Sequence, residues 1–105
     1  MVGNNNIVNM LIKAKADLNL IDKERTWTAL MIACRLAKKN IVKMLIDAQA
    51  DVNYQDKKWG LTAILGSYLN KDYDLIQMLI NDKADINVKD KSNMCLLSMA
   101  VKDKD

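Results

Sequence analysis

Ile41-Val42-Lys43-Met44-Leu45-Ile46-Asp47-Ala48-Gln49-Ala50-Asp51-Val52-Asn53 is the stretch that decides the fold, because the chain writes it three times. Its first half returns as Ile7-Val8-Asn9-Met10-Leu11-Ile12 and as Leu75-Ile76-Gln77-Met78-Leu79-Ile80, each 34 residues away. Its second half, Ala50-Asp51-Val52-Asn53, returns as Ala16-Asp17-Leu18-Asn19 and Ala84-Asp85-Ile86-Asn87 at the same step. Asp22-Lys23, Asp56-Lys57 and Asp90-Lys91 keep it too, and Thr28-Ala29-Leu30 matches Thr62-Ala63-Ile64. A fixed period of this length marks stacked supersecondary units, none of which can bury its apolar face alone.

Outward from that stretch, one unit can be read physically. Leu30, Ala33, Cys34 and Ala37 fall at i, i+3, i+4 and i+7, so the spacing predicts a helix from Thr28 to about Lys38. Lys38-Lys39-Asn40 interrupts the apolar pattern. A second helix is predicted from Ile41 to about Ala48, with Ile41, Met44, Leu45 and Ala48 on one face. An extended stretch, Asp51 to Gln55, and a turn, Asp56 to Gly60, complete the unit. The fold class is therefore all-α: stacked helix-turn-helix units with projecting hairpin-like loops.

This unit resembles the ankyrin repeat. The family's Thr-Pro-Leu-His helix start is similar to Thr28-Ala29-Leu30-Met31 and Thr62-Ala63-Ile64-Leu65. Its second-helix motif is similar to Ile41 to Ile46, and its closing Gly-Ala-Asp-Val-Asn to Gln49 through Asn53. The resemblance implies a partial repeat at 1–21 with only helix two, full repeats at 22–55 and 56–89, and a partial repeat at 90–105 with only helix one. It places Lys15, Gln49 and Lys83 where the family has a left-handed Gly after helix two, at a cost of ~1 kcal/mol each. Ala37 and Lys71 stand where the inter-helix Gly is usual, and Gly3 keeps it, so a turn is expected over Gly3 to Asn6.

The chain of 105 residues has room for one domain. It has no Phe, Pro or His, so Ile, Leu, Met and Ala must fill a thin layered core. A net charge of +3, from 16 basic and 13 acidic residues, does not imply nucleic acid, and no aromatic and basic residues alternate as a stacking platform needs. No apolar run approaches the ~18 residues of a membrane span, and the N-terminus lacks the pattern of a secretory signal. Two cysteines without framework spacing read as reduced thiols, so an intracellular, cytoplasmic setting is expected.

Catalysis is not expected. Histidine, the commonest general base, is absent, and Cys34 and Cys95 have no imidazole to activate them. No metal or other cofactor is expected either. Cys34 reads as core. Asp17, Asp51 and Asp85, with Asn19, Asn53 and Asn87, read as loop formers, because Asx side chains mimic backbone turns. Met10, Met44 and Met78 read as gap-filling core residues.

The resemblance implies that Trp27, Leu61 and Met94, each at the end of a loop, project from the stack. Trp59 stands nearby, at the repeat position of Arg25. Trp, Tyr and Arg are enriched in binding hot spots. Lys23, Lys57 and Lys91 add a basic row along the tips, which favours a protein partner with an acidic rim. By the same resemblance, Arg35, Leu36, Leu69 and Asn70 line the concave face of helix one. The function expected is a protein-interaction module. Two alternatives stay open: a structural segment whose half-repeat ends associate end to end, and a regulatory part of a larger protein.

Overall fold

The computed structural model describes residues 2–23 and 26–103, with side chains from residue 5 onward. Six helices follow one another among these residues: α1 Val2–Lys13, α2 Ala29–Arg35, α3 Lys39–Asp47, α4 Ala63–Leu69, α5 Tyr73–Asn81 and α6 Leu96–Lys102. The molecule measures 42 × 26 × 23 Å, so its long axis is the stacking direction. α2 packs on α3 and on α4, α4 packs on α5 and on α6, and α1 packs on α3.

Local chemistry starts and stops these helices. The Thr28 hydroxyl accepts from the Met31 N–H at 3.3 Å, and Thr62 does the same for Leu65 at 3.4 Å. Each satisfies an orphan donor of the first turn. Asp72 caps α5 through the Leu75 N–H at 3.2 Å. The equivalent residue before α3 is Lys38, which supplies no side-chain cap, and Cys95 supplies none to α6. The chain leaves its helices through left-handed residues: Lys15, Gln49 and Lys83 after α1, α3 and α5, and Ala37 and Lys71 after α2 and α4. All five are non-glycine, and at Lys15, Gln49 and Lys83 the left-handed conformation is the one the resemblance implied.

Two sequence expectations need correction. Gly3 to Asn6 forms no turn; it lies inside α1, which runs to 12 residues. The tight turn that Ala37 and Lys71 make joins two helices packed side by side, and no helix precedes α1 among the described residues. Ala37 is not the last residue of an apolar helix face, since α2 ends at Arg35 and Ala37 is exposed in the turn.

The core lies in the middle of the stack. α2 contributes Leu30, Met31, Ala33 and Cys34, and α4 contributes Ala63, Ile64 and Leu65. Val42 and Leu45 of α3, with Leu75 and Leu79 of α5, seal it from the other layer. Burying a side chain of this size stabilises by about 1.5–3 kcal/mol. Met78 packs against this core, but Met10 is exposed, so the methionine column is not core along its whole length.

Side-chain hydrogen bonds tie successive units. Asp17, Asp51 and Asp85 each accept the N–H of the Asn two residues on, at 2.8–2.9 Å. The Asn19 amide oxygen then accepts the Asp51 N–H at 2.9 Å, and Asn53 accepts that of Asp85 at 2.7 Å. Asn19, Asn53, Asp51 and Asp85 therefore couple successive units, and the three recurring carboxylates accept from backbone.

Candidate functional site

Each loop between units closes on a backbone pair. The N–H groups of Asp22, Asp56 and Asp90 donate to the carbonyls of Trp27, Leu61 and Met94 at 2.8, 2.8 and 2.9 Å. The residue before each of these carbonyls, Thr26, Gly60 and Asn93, is left-handed. Ile21 and Thr28 form an isolated antiparallel bridge, so the loops are hairpin-like without any strand among the described residues.

The loop after the second unit is held from both sides. Asp56 is buried, and its carboxylate accepts from the Leu61 N–H at 2.7 Å, the Trp59 N–H at 3.3 Å and the Thr26 hydroxyl at 3.1 Å. The last of these reaches back to the previous loop. Gln55 donates its amide both to the Gly60 carbonyl at 2.8 Å and to the Lys89 carbonyl at 2.6 Å. Lys91 N–H donates to the Trp59 carbonyl at 3.2 Å. A Cβ at Gly60 would lie 2.7 Å from the Lys91 nitrogen, so only glycine permits the two loops to approach this closely.

That scaffold holds the Trp59 indole in solvent, at 56% exposure. The Lys58 ammonium stands 5.5 Å from the ring centroid, within cation–π range. Lys57 and Lys91 are exposed beside it, and a cleft of about 470 Å³ between the two loops is lined by Gln55, Asp56, Lys57, Gly60, Lys89, Asp90 and Lys91. Lys57, Trp59 and Lys91 are thus brought together. Lys58 and Lys89 join them without having been singled out from the sequence, where the only signal was their place in adjacent loops. Lys23 is exposed on the preceding loop, and Arg25 lies outside the described residues.

Trp27 and Leu61 do not project. Both pack against the core, and Met94 is half-buried at the equivalent place. Their carbonyls close the loops. The Trp27 indole N–H is buried and has no hydrogen-bond partner among the described residues.

The helix-one positions form a second group. Asn70 donates to the Cys34 carbonyl at 3.1 Å and to the Arg35 carbonyl, and Arg35 donates to the Asn70 amide oxygen. Asn70 thereby satisfies the last carbonyls of α2 from the next unit. Leu36 and Leu69 are exposed, as is Tyr73, which sequence reading passed over. Arg35 and Asn70 sit at the far end of helix one from the loop tips, about 10 Å along a helix of this length.

The thiols differ. Burial pushes the Cys34 thiol up to about 11, while hydrogen bonding from Ser98 lowers that of Cys95. Both are free cysteines. Among the described residues, no three His, Cys, Asp or Glu side chains gather as metal ligands, and no helix is long and apolar enough to cross a membrane.

None of the curated proteins compared matches the sequence. The family model described as ankyrin repeats (3 copies) matches residues 1–102. With the 34-residue step, the paired helices and the hairpin-like loops all present, the chain belongs to the ankyrin-repeat family.

Proposed function

We propose that this chain binds a partner protein through the loop surface of Lys57, Trp59 and Lys91, and that the recognised surface is an apolar pocket with an acidic rim. Ankyrin repeats are in general protein–protein interaction modules, and catalysis is not their usual role. The observation that carries the reading is an exposed indole on a loop held in place by hydrogen bonds from both neighbouring loops. Such a loop is ordered before it binds, so docking forfeits little conformational entropy. Lys57, Lys58, Lys89 and Lys91 around it favour approach of negative charge. Arg35, Leu36, Leu69 and Asn70 extend the same contact along helix one. Trp27, Leu61 and Met94 serve it by supporting the loops from beneath, and Lys23 lies on the preceding loop. The two free thiols support an intracellular setting.

The test is selection of binders from a random peptide display library on the intact chain. Selected peptides are expected to be rich in Asp and Glu and to bind Trp59→Ala about 30-fold more weakly, a loss of ~2 kcal/mol. Their affinity is also expected to fall with added salt. Selected binders indifferent to both Trp59→Ala and a Lys57→Glu/Lys91→Glu double substitution would remove the loop surface from the proposal.

A further inference from the structure

The two ends of the described stack expose opposite halves of one interface. At the helix-two position, Leu45 and Leu79 are 3% and 0% exposed, whereas Leu11 in α1 is 52% exposed. At the helix-one position, Leu30 and Ile64 are each 1% exposed, whereas Leu97 in α6 is 71% exposed. Ala100 and Val101 are exposed with it, giving α6 an outward apolar face at i, i+3 and i+4. Beside α1, a groove of about 340 Å³ opens between α1 and α2, lined by Val8, Leu11, Ile12, Ile32, Leu36 and Ile41.

We propose that α6 of a second copy fills this groove, so that α6 of one molecule and α1 of the next make a composite unit. What selects a second copy as the occupant is the interface already present within the chain. α2 packs on α3, and α4 on α5, and there the repeat positions that α6 and α1 leave open are buried. The hydrogen-bond relay continues in the same register. Asn19 and Asn53 each accept the N–H of the Asp 32 residues on. Among the described residues the Asn87 side-chain oxygen accepts no such bond and the Asp17 N–H donates none. In the composite unit, Asn87 of one molecule meets Asp17 N–H of the next. Because the two faces differ, the contact is head-to-tail and does not close on itself, so copies add in a row. The proposal leaves the Trp59 loop free and shares only Leu36 with the partner-binding surface, and its readout, the mass of the chain alone, does not depend on that reading.

The experiment is light scattering on the full 105-residue chain, under reducing conditions, with Leu11→Lys and Leu97→Lys as variants. Both positions are exposed, and circular dichroism checks that each variant keeps the wild-type helix content. Wild-type mass is expected to rise about twofold or more over roughly a hundredfold range of concentration. Each variant alone is expected to stay monomeric, since one face of every molecule is blocked. An equimolar mixture is expected to pair and stop at twice the chain mass of 11.9 kDa, because each variant retains the face the other has lost. Asn87→Ala is expected to weaken the wild-type association while leaving the fold intact. A constant monomer mass for the wild type would overturn the proposal and leave these faces to flanking sequence or another protein. Growth of either variant alone, or a mixture that does not pair, would overturn it as well.

Discussion

Cys34 and Cys95 show how much one side chain's surroundings matter. Cys34 sits in the core between α2 and α4, and burial raises its pKa from 9.0 to about 11. The folded state therefore favours the neutral thiol. The linked stability is whole below about pH 9 and is lost as pH rises towards 11. We expect the urea stability of wild type to fall over this window by up to ~2 kcal/mol more than that of Cys34→Ala; equal slopes would show that the thiol is not the titrating group. Iodoacetamide should label Cys95 in the folded protein and reach Cys34 only on unfolding. The burial of Cys34 was legible from its place on an apolar helical face. The fates of Trp27 and Trp59 were not, because a repeat pattern gives backbone position and leaves unsaid which way a large side chain turns. Trp27 lies directly before the cap residue Thr28 and turns inward against the core. Trp59 lies one position before the left-handed Gly60 and is carried outward.

At the scale of the element, the left-handed exits are the weak points. Lys15, Gln49 and Lys83 have φ near +65°, a conformation that glycine adopts without penalty. Gln49→Gly and Lys83→Gly are each expected to raise stability by ~0.5–1 kcal/mol in urea titrations. Gly60→Ala should do the reverse and cost more than ~1 kcal/mol, since φ is +72° and the added carbon meets the Lys91 backbone. If both kinds of change proved neutral, backbone strain would not limit these loops. The exits were readable because the resemblance puts Gly at those positions. The helical state of Gly3 was not, because the turn elsewhere is imposed by a neighbouring helix and is not encoded in the turn residues alone. Asn70 was read as a contact residue, and its bonds to the α2 carbonyls depend on how adjacent units rotate against each other, which no pattern within one unit reports.

For the whole molecule, burial is graded along the stack. Among the described residues, the fully buried side chains belong to α2, α3, α4 and α5 together with Thr28, and none to α1 or α6. In a stack whose units touch only their neighbours, such grading sets the order of opening. Hydrogen exchange at low protein concentration should find the slowest amides in α2 and α4, with α1 and α6 exchanging at least about tenfold faster, or ~1.4 kcal/mol less protected. Uniform protection through all six helices would mean that the units melt together. The stacked all-helical architecture was legible from the 34-residue step, since stacking covers each unit's apolar face with the next.

The Asn–Asp relay along the stack has a mechanical consequence. Asn19 holds Asp51, and Asn53 holds Asp85, so a pull along the long axis loads these junctions in series. Every junction then bears the full tension, and none shares it. Such a chain yields at its softest joint, one step at a time, and lengthening the array would add stretch without adding tensile strength.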